Sequence, residues 1–595
     1  MIIFYQLNYF FLPLAYIFSL FKFQIVYFEL KLPKEKILNS TFLSKKVKSF
    51  TQLNYLLPHS SYKIFCDYPY YLTRPTVNHI YNKYKKIIKK INLGSEKEVK
   101  AIFFQKLLAN EKLVQLVYFT RFLKKKKVSF VLFAYFTFLE IIVLKSNNIN
   151  LYKTIFQIIG NVFKVLDFII KKFKNFYLNT SIKNKYDFVS NQIIDKNFKP
   201  EVIFYPHHTT DYGRIYKKTM FYSKNKDSKF FKENILHIEL VNNEKFRDFY
   251  IFKKLNFFFH GKTNLRNIFP ICFSLPSLFF LYEWIFVLKF IATYRKILSD
   301  FDNNFFKNVK YCLIGNDITF DNLISLILKK KNIVTIGFQS RWISSKWKIY
   351  SNILDTLLVL DEYSKKNFEK QKYCIVSNYI VSGPLIDNLK KISHSKINNT
   401  NNIICYDWPP GTYSYQSLNL NTDSSQIFYE DILSLSERYN NYNFIIKSKE
   451  IIEGFDYEKK LKDRIVNRSN VYIFNDNKSN INFKNLYSNC NIIITKPSST
   501  IDHGLLNNKV VLVHDYAKNF NILLRKYENF NNQVYFSNSH KELHEKFDFI
   551  LENNVIKRDK FNINKKYYFN DNKVFNLEFF LNNLGKKNDK MHYSK

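Results

Sequence analysis

The segment 490–514, CNIIITKPSSTIDHGLLNNKVVLVH, gathers residue types that could hold a polyanion. An apolar run ends at Lys496, a hydroxyl-rich turn follows with Ser498, Ser499 and Thr500, and a helical pattern carries Asp502 and His503 before a second apolar run. Hydroxyls at a helix N-terminus sit beside unpaired backbone N–H groups and the positive end of the helix dipole, a setting that attracts anions. Lys496 adds a positive charge, and a diphosphate is a natural occupant. The same residues would also serve as a plain N-cap. Lys447, at the end of the apolar run 444–446, could neutralise a phosphate as a point charge. His207 and His208 follow the apolar stretch 201–206, with Asp211 close by, and offer a general base; Asp317 and His260 are weaker candidates. Arg214 could bind an acidic acceptor.

Other chemistries lack their residues. No GxxxxGK[ST] loop or GxGxxG fingerprint occurs, which argues against an ATPase or a dinucleotide enzyme. No His/Cys cluster has metal-ligand spacing, and Asp300-Phe301-Asp302 reads as charge at a helix end, so neither metal nor cofactor is expected. The six cysteines are dispersed without a CxxC pair, which suits a reducing compartment.

The elements that must position these residues read as repeated βα units. Apolar runs at 309–314, 333–338, 356–360, 379–381, 403–406, 444–446, 471–474, 491–495 and 510–514 are mostly separated by helical patterns. That succession predicts parallel sheet buried on both faces. Gly315, Gly337, Gly383 and Gly411 lie at or just beyond predicted strand ends, which line the binding crevice of open α/β sheets. The polar stretch 393–402 reads as a linker between an N-terminal domain (1–392) and a C-terminal one (393–556), followed by a tail (557–595). Upstream, strands are expected at 2–5, 24–30, 63–66, 201–206 and 235–241, and a Lys-rich helical insertion or cap over about 76–185.

The chain has 595 residues, and 91 basic minus 49 acidic residues leaves +42. Lys, Asn, Ile, Phe and Tyr are in excess together, the signature of A/T-rich codons, and the lysines form no single tract. A specific nucleic-acid partner is therefore not expected. Residues 1–21 are uncharged, nominally long enough to span a bilayer, yet they also parse as strand, helix (about 7–21) and second strand. No basic residue precedes this stretch and no small-x-small site follows it, which argues against a signal peptide. The apolar segments 128–144 and 268–288 read as buried helices, or as greasy faces resting on an anionic membrane surface.

The order of these blocks resembles the GT-B glycosyltransferases and their relatives, the CDP-glycerol glycerophosphotransferases and the non-hydrolysing UDP-GlcNAc epimerases. Residues 490–514 are similar to their donor-binding strand, Ser-Ser-Thr turn and acidic helix, with His503 at the usual ribose-binding acidic position, Asp502 one place earlier, and Val510 for the proline after Lys509. Upstream, CLIGND (312–317), IVTIGFQSR (333–341), DTLLVLD (355–361) and IVSGPL (380–385) look like the family's "GD", "xxQHG", "aDxxlv" and "vxGxPxxD" blocks. Gln339, Ser340 and Arg341 stand where Gln-His-Gly is usual, and Gly383 with Asp387 is a close match. NFIIKSKE (443–450) takes the place of "iKpHP", with Lys449 for the histidine. The resemblance covers about 309–516.

It implies two Rossmann-like domains facing a cleft, with the helical insertion in the first. The implied activity is transfer of a sugar from a nucleotide sugar to a saccharide or lipid-linked acceptor at the cytoplasmic membrane face, by a cytoplasmic and peripheral protein. His207, His208 and Asp317 would be catalytic. Gln339, Ser340, Arg341, Gly383, Lys447, Lys496, Ser498, Ser499, Thr500, Asp502 and His503 would bind substrate. Alternatives are a polyol-phosphate transferase using CDP-glycerol, an epimerase (which the substituted histidine and acidic residue disfavour), and a non-catalytic basic protein binding membrane or nucleic acid on a degenerate scaffold.

Overall fold

The uncharged N-terminal stretch folds as β1 (Ile2–Leu7), α1 (Leu12–Leu20) and β2 (Ile25–Leu30), and β3 (Val47–Ser49) completes a parallel three-stranded sheet. Pro13 is tolerated because it sits in the first helical turn, where its missing N–H has no intrahelical partner. Lys22 turns the chain out of α1 with a φ of 61°. The computed structural model describes residues 2–7, 12–30, 46–49, 62–108, 130–131, 150–151, 202–205, 235–237, 287, 290–291, 294–295, 298, 307–314, 320–339, 350–383, 401–407, 422–448, 463–465, 467–474, 490–498, 500–514, 524–527, 530, 533–553 and 555. Most of 128–144 and 268–288, and the tail, lie outside the described residues.

Next come α2 (Tyr62–Lys90) and α3 (Glu96–Leu108), then two short parallel strands, β4 (Phe130–Val131) and β5 (Asn150–Leu151). Ser95 and Glu98 form a capping box at the start of α3: the Glu98 carboxylate accepts from the Ser95 N–H (2.9 Å) and hydroxyl (2.8 Å), and the Glu98 N–H donates to Ser95 Oγ (3.3 Å).

The first large sheet contains β6 (Val202–Tyr205), β7 (Ile235–His237), β8 (Tyr311–Ile314), β9 (Val334–Phe338), β10 (Ser351–Val359) and β11 (Tyr373–Val381), with α4 (Asn322–Lys330) and α5 (Glu362–Glu369) between strands. Its order is β11-β10-β9-β8-β6-β7, all pairs parallel. Strands β10 and β11 begin five and six residues before the apolar runs that predicted them. The residues before those runs include Asn352, Asp355, Ser377 and Asn378, which interrupt the apolar pattern. Two of these polar groups are placed. Asn352 is buried, and Asp355 accepts from the Thr335 N–H (2.7 Å) and hydroxyl (2.9 Å) across to β9.

Helix α3 packs directly on this sheet. Phe104 stacks on Tyr373 of β11 at 4.3 Å, and the Ala101 carbonyl accepts from Ser351 Oγ of β10 (2.9 Å). Glu98 pairs with Lys329 of α4 at 2.9 Å, and Lys106 pairs with Asp321, the α4 N-cap.

The second large sheet contains β12 (Asn402–Asp407), β13 (Asn443–Ser448), β14 (Val471–Phe474), β15 (Cys490–Thr495), β16 (Val510–His514) and β17 (Val534–Ser537). Its helices are α6 (Thr422–Arg438), α7 (Thr500–Leu506), α8 (Leu524–Tyr527) and α9 (His540–Glu552). The order is β14-β13-β12-β15-β16-β17, again parallel throughout. Strand β17 is a sixth strand absent from the sequence expectation, because four residues flanked by polar ones give little pattern.

Alternate residues of these strands feed different cores. Ile403, Cys405, Phe444, Ile446, Ile492, Ile494 and Leu512 meet Phe428 and Ile432 of α6 and Leu543 and Phe547 of α9. Val511 and Val513 meet Ile501 and Leu505 of α7 and Tyr527 of α8 on the opposite face. Each such side chain contributes about 1.5–3 kcal/mol on burial, which is why strands this apolar need helices on both sides. Close approach of α7 depends on Gly504. A Cβ there would lie 2.6 Å from Val511 Cγ2 and 3.2 Å from Ile493 Cδ1, both on stiff β-branched strand residues. Gly504→Val should therefore lower unfolding free energy by about 1–3 kcal/mol in urea denaturation; wild-type stability would contradict the tight packing.

Candidate functional site

In each large sheet the strand order reverses once. Strand β12 is flanked by β13 and β15, and β6 is flanked by β7 and β8. The carboxyl ends of β12 and β15 are in register, Tyr406 beside Thr495, as are those of β6 and β8, Tyr205 beside Ile314. Such reversals open a crevice outside the carboxyl ends of parallel strands. Of the described candidate residues, Lys496, Ser498, Thr500, Asp502 and His503 follow β15, whereas Gln339 follows β9, Gly383 follows β11 and Lys447 is the last but one residue of β13.

Residues 496–500 leave β15 at the reversal. Thr495 Oγ1 donates to the Lys496 carbonyl (2.9 Å) and lies 3.3 Å from Ser498 Oγ. Ser498 Oγ accepts from the Thr500 N–H (3.2 Å), and the Ser498 carbonyl accepts from the Ile501 N–H (3.1 Å). Ser498 is thus a buried N-cap of α7. Lys496 is also buried, its ammonium 5.1 Å from the centre of the Phe428 ring in a cation–π contact. His503 is half-buried, and its carbonyl accepts from Asn507 Nδ2 (2.8 Å). Ser499 lies outside the described residues, as do Ser340, Arg341, His207, His208 and Asp317.

Asp502 faces inward. Its carboxylate accepts from Lys526 Nζ (2.8 Å) and from Tyr527 Oη (3.0 Å), both on α8. The same ammonium lies 3.3 Å from Asp361, the N-cap of α5 just after β10, whose other oxygen accepts from the Ser364 N–H (2.6 Å). Lys526 is fully buried. Burial alone would push its pKa down, but the Asp361 and Asp502 carboxylates outweigh that and raise it. This cluster links the carboxyl end of β10 in the first sheet to the start of α7 in the second.

Gln339 belongs to the same seam. Its Nε2 donates to Ser364 Oγ (3.1 Å) and its Oε1 accepts from the Leu360 N–H (2.9 Å), joining the end of β9 to the start of α5. Gly383 follows β11 with a φ of 70°, a left-handed turn that favours glycine. Lys447 lies over the Phe474 ring of β14 at 4.8 Å. Lys509, at the opposite end of β15 and β16, donates to the Cys490 carbonyl, and burial pushes its pKa down.

A second polar cluster was not anticipated. Asp431 of α6 accepts from His514 Nε2 (2.7 Å) at the end of β16 and from His540 Nδ1 (2.8 Å) at the start of α9. His514 Nδ1 lies 2.8 Å from the buried Ser537 hydroxyl. His540 packs on His544, ring centres 4.5 Å apart, and burial together with the nearby His540 and Arg438 pushes the His544 pKa down. Phe428 lies 6.1 Å from the His514 ring, so this cluster adjoins Lys496. Its partners are 83 and 109 residues apart in sequence, and only His514 lay in a segment that drew attention.

The four described free cysteines are buried, and burial pushes the Cys490 thiol up to about 11, so none of them resembles an activated nucleophile. Among the described residues no group of three or more His, Cys, Asp or Glu is arranged to hold a metal ion.

Lys526→Met leaves two buried carboxylates without their cation. Unfolding free energy should fall by about 3–5 kcal/mol. Urea denaturation reads this directly, and an unaltered midpoint would show that the cluster does not hold the two sheets.

No protein-family model matches the chain, and no curated protein matches its sequence. In three dimensions it is similar to the UDP-GlcNAc 2-epimerase of Neisseria meningitidis bound to UDP-GlcNAc (14% identity, 49% of this chain and 87% of that one, TM-score 0.33). It is also similar to the wall teichoic acid polymerase TagF (13% identity, 73% and 99%, TM-score 0.35). A third likeness is to MurG of Acinetobacter baumannii (9% identity, 60% and 92%, TM-score 0.30). These TM-scores lie below 0.5, so the α/β architecture rests on the strand orders of this chain itself.

Proposed function

We propose that this protein is a metal-independent glycosyltransferase, moving a sugar from a nucleotide sugar to a surface-polysaccharide or lipid-linked acceptor at the cytoplasmic face of a membrane. The observation that carries the reading is the reversal of strand order between β12 and β15, with residues 496–500 leaving β15 there. The nucleotide diphosphate is assigned to that turn, with Ser499 and Thr500 as hydrogen-bond donors and Lys447 as a nearby cation.

The base is assigned to His207 or His208. In sequence they follow β6, and Asp317 follows β8, the two strands at which the first sheet reverses. The imidazole accepts the proton of the acceptor hydroxyl as its oxygen bonds to the anomeric carbon. The nucleoside diphosphate leaves with the electron pair of the broken C–O bond, and cationic and N–H groups stabilise its charge.

A second reading has an observation of its own. Lys496, Ser498 and Asp502 are engaged with Phe428, the α7 cap and Lys526, as they would be in a basic binding protein on a degenerate transferase scaffold.

A thermal-shift panel of UDP, GDP, CDP, CMP and ADP separates the readings. A ligand at 100 times its dissociation constant adds about 2.7 kcal/mol of stability. One nucleoside diphosphate should raise the melting temperature selectively, and the S499A/T500A variant should reduce that shift. His207→Ala with His208→Ala should lower turnover by about 10²–10⁴-fold and leave the nucleotide shift intact. Preference for CMP and CDP would point to a polyol-phosphate donor. No shift with any nucleotide in a folded sample would overturn the transferase reading in favour of the binding protein.

A further inference from the structure

Of the seven exposed large apolar side chains among the described residues, five fall between positions 16 and 23: Tyr16, Ile17, Leu20, Phe21 and Phe23. Helix α1 has two apolar faces. Leu12, Ala15 and Phe18 pack into the small core of the N-terminal unit with Leu7, Ile25 and Val47. Tyr16, Ile17 and Leu20 recur at helical spacing on the other face, 41–49% exposed, and Phe21 continues that face at 71%. A surface helix in water carries charged residues on its outer face, yet residues 1–21 hold none.

The charge that follows in sequence is consistent in sign. Lys22 follows the last helical turn and is exposed. From 22 to 48 the chain has seven lysines against two glutamates, and the whole chain is at +42. The length of α1 sets how deep it can go. Nine residues rise about 13.5 Å, less than half of a hydrocarbon core of about 30 Å, and the flanking strands hold both ends in one sheet. No described helix is long and apolar enough to cross a membrane.

We propose that the 16–23 face docks on an anionic lipid surface. The apolar side chains enter the boundary between headgroups and acyl chains, and the lysines of the unit meet the headgroup charge. The attachment is interfacial, and it would bring the sheets within reach of an acceptor held in the membrane. Vesicle binding needs no nucleotide, so its outcome is separate from that of the donor reading.

The full-length chain, without nucleotide, is floated with vesicles of phosphatidylcholine alone or mixed with phosphatidylglycerol. Binding should require phosphatidylglycerol and fall as salt rises. The L20S/F21S variant, at two exposed positions outside the Leu7–Ala15–Ile25–Val47 cluster, should keep its melting temperature and lose about tenfold or more of its affinity; Phe21→Ser alone, at the most exposed position, is the milder variant should the pair misfold. Three results would overturn the proposal: no flotation of the wild-type chain, undiminished flotation of a folded variant, or a wild-type dimer that L20S/F21S converts to monomer without vesicle binding, which would assign the face to a second copy.

Discussion

The constraint on which the rest depends is the apolar character of strands such as 490–495 and 510–514 on both of their faces. A strand of this kind cannot lie at a water-facing surface, so helices must cover both sides of the sheet and the connections must run as crossovers. Polar chemistry is thereby excluded from the faces and left to the strand ends. Six parallel strands with one reversal of order then yield one natural crevice, between β12 and β15. The first large sheet repeats the arrangement around β6.

One contact between the sheets is electrostatic. Lys526 carries one positive charge between two carboxylates, and the remaining oxygens are met by a backbone N–H at Asp361 and a tyrosine hydroxyl at Asp502. An ammonium stripped of water is tolerable only with such partners, so the contact specifies one arrangement of the two carboxyl edges more than it adds stability. Asp502 consequently positions α7 and α8 against α5, while Ser498 caps the same end of α7.

Much of this architecture was legible in the chain because its signals are local. The βαβ parse of the first thirty residues and the runs from 309 to 514 correspond to β1, β2 and β8 to β16. The first parts of β10 and β11 were hidden by Asn352, Asp355, Ser377 and Asn378; Asp355 is made compatible with a strand by its hydrogen bonds to Thr335, and Ser377 and Asn378 by their place on the edge strand. The two polar clusters were not legible. Asp361 and Lys526, or Asp431 and His540, are brought together by tertiary packing alone, and no short pattern marks them. The turn at 496–500 shows the same limit from the other side. Its sequence fits an anion site and an N-cap equally well; the contacts of Ser498 supply the second role, while Lys496 lies against the Phe428 ring.

The central claim is that a nucleoside diphosphate lies at the carboxyl ends of β12 and β15. Hydrogen exchange of the full chain, with and without a saturating nucleoside diphosphate, tests it most directly. The account predicts slowed exchange in peptides covering 495–507 and in the segment that follows β12. Protection confined to other regions while the ligand is bound, or no bound ligand at all, would contradict it.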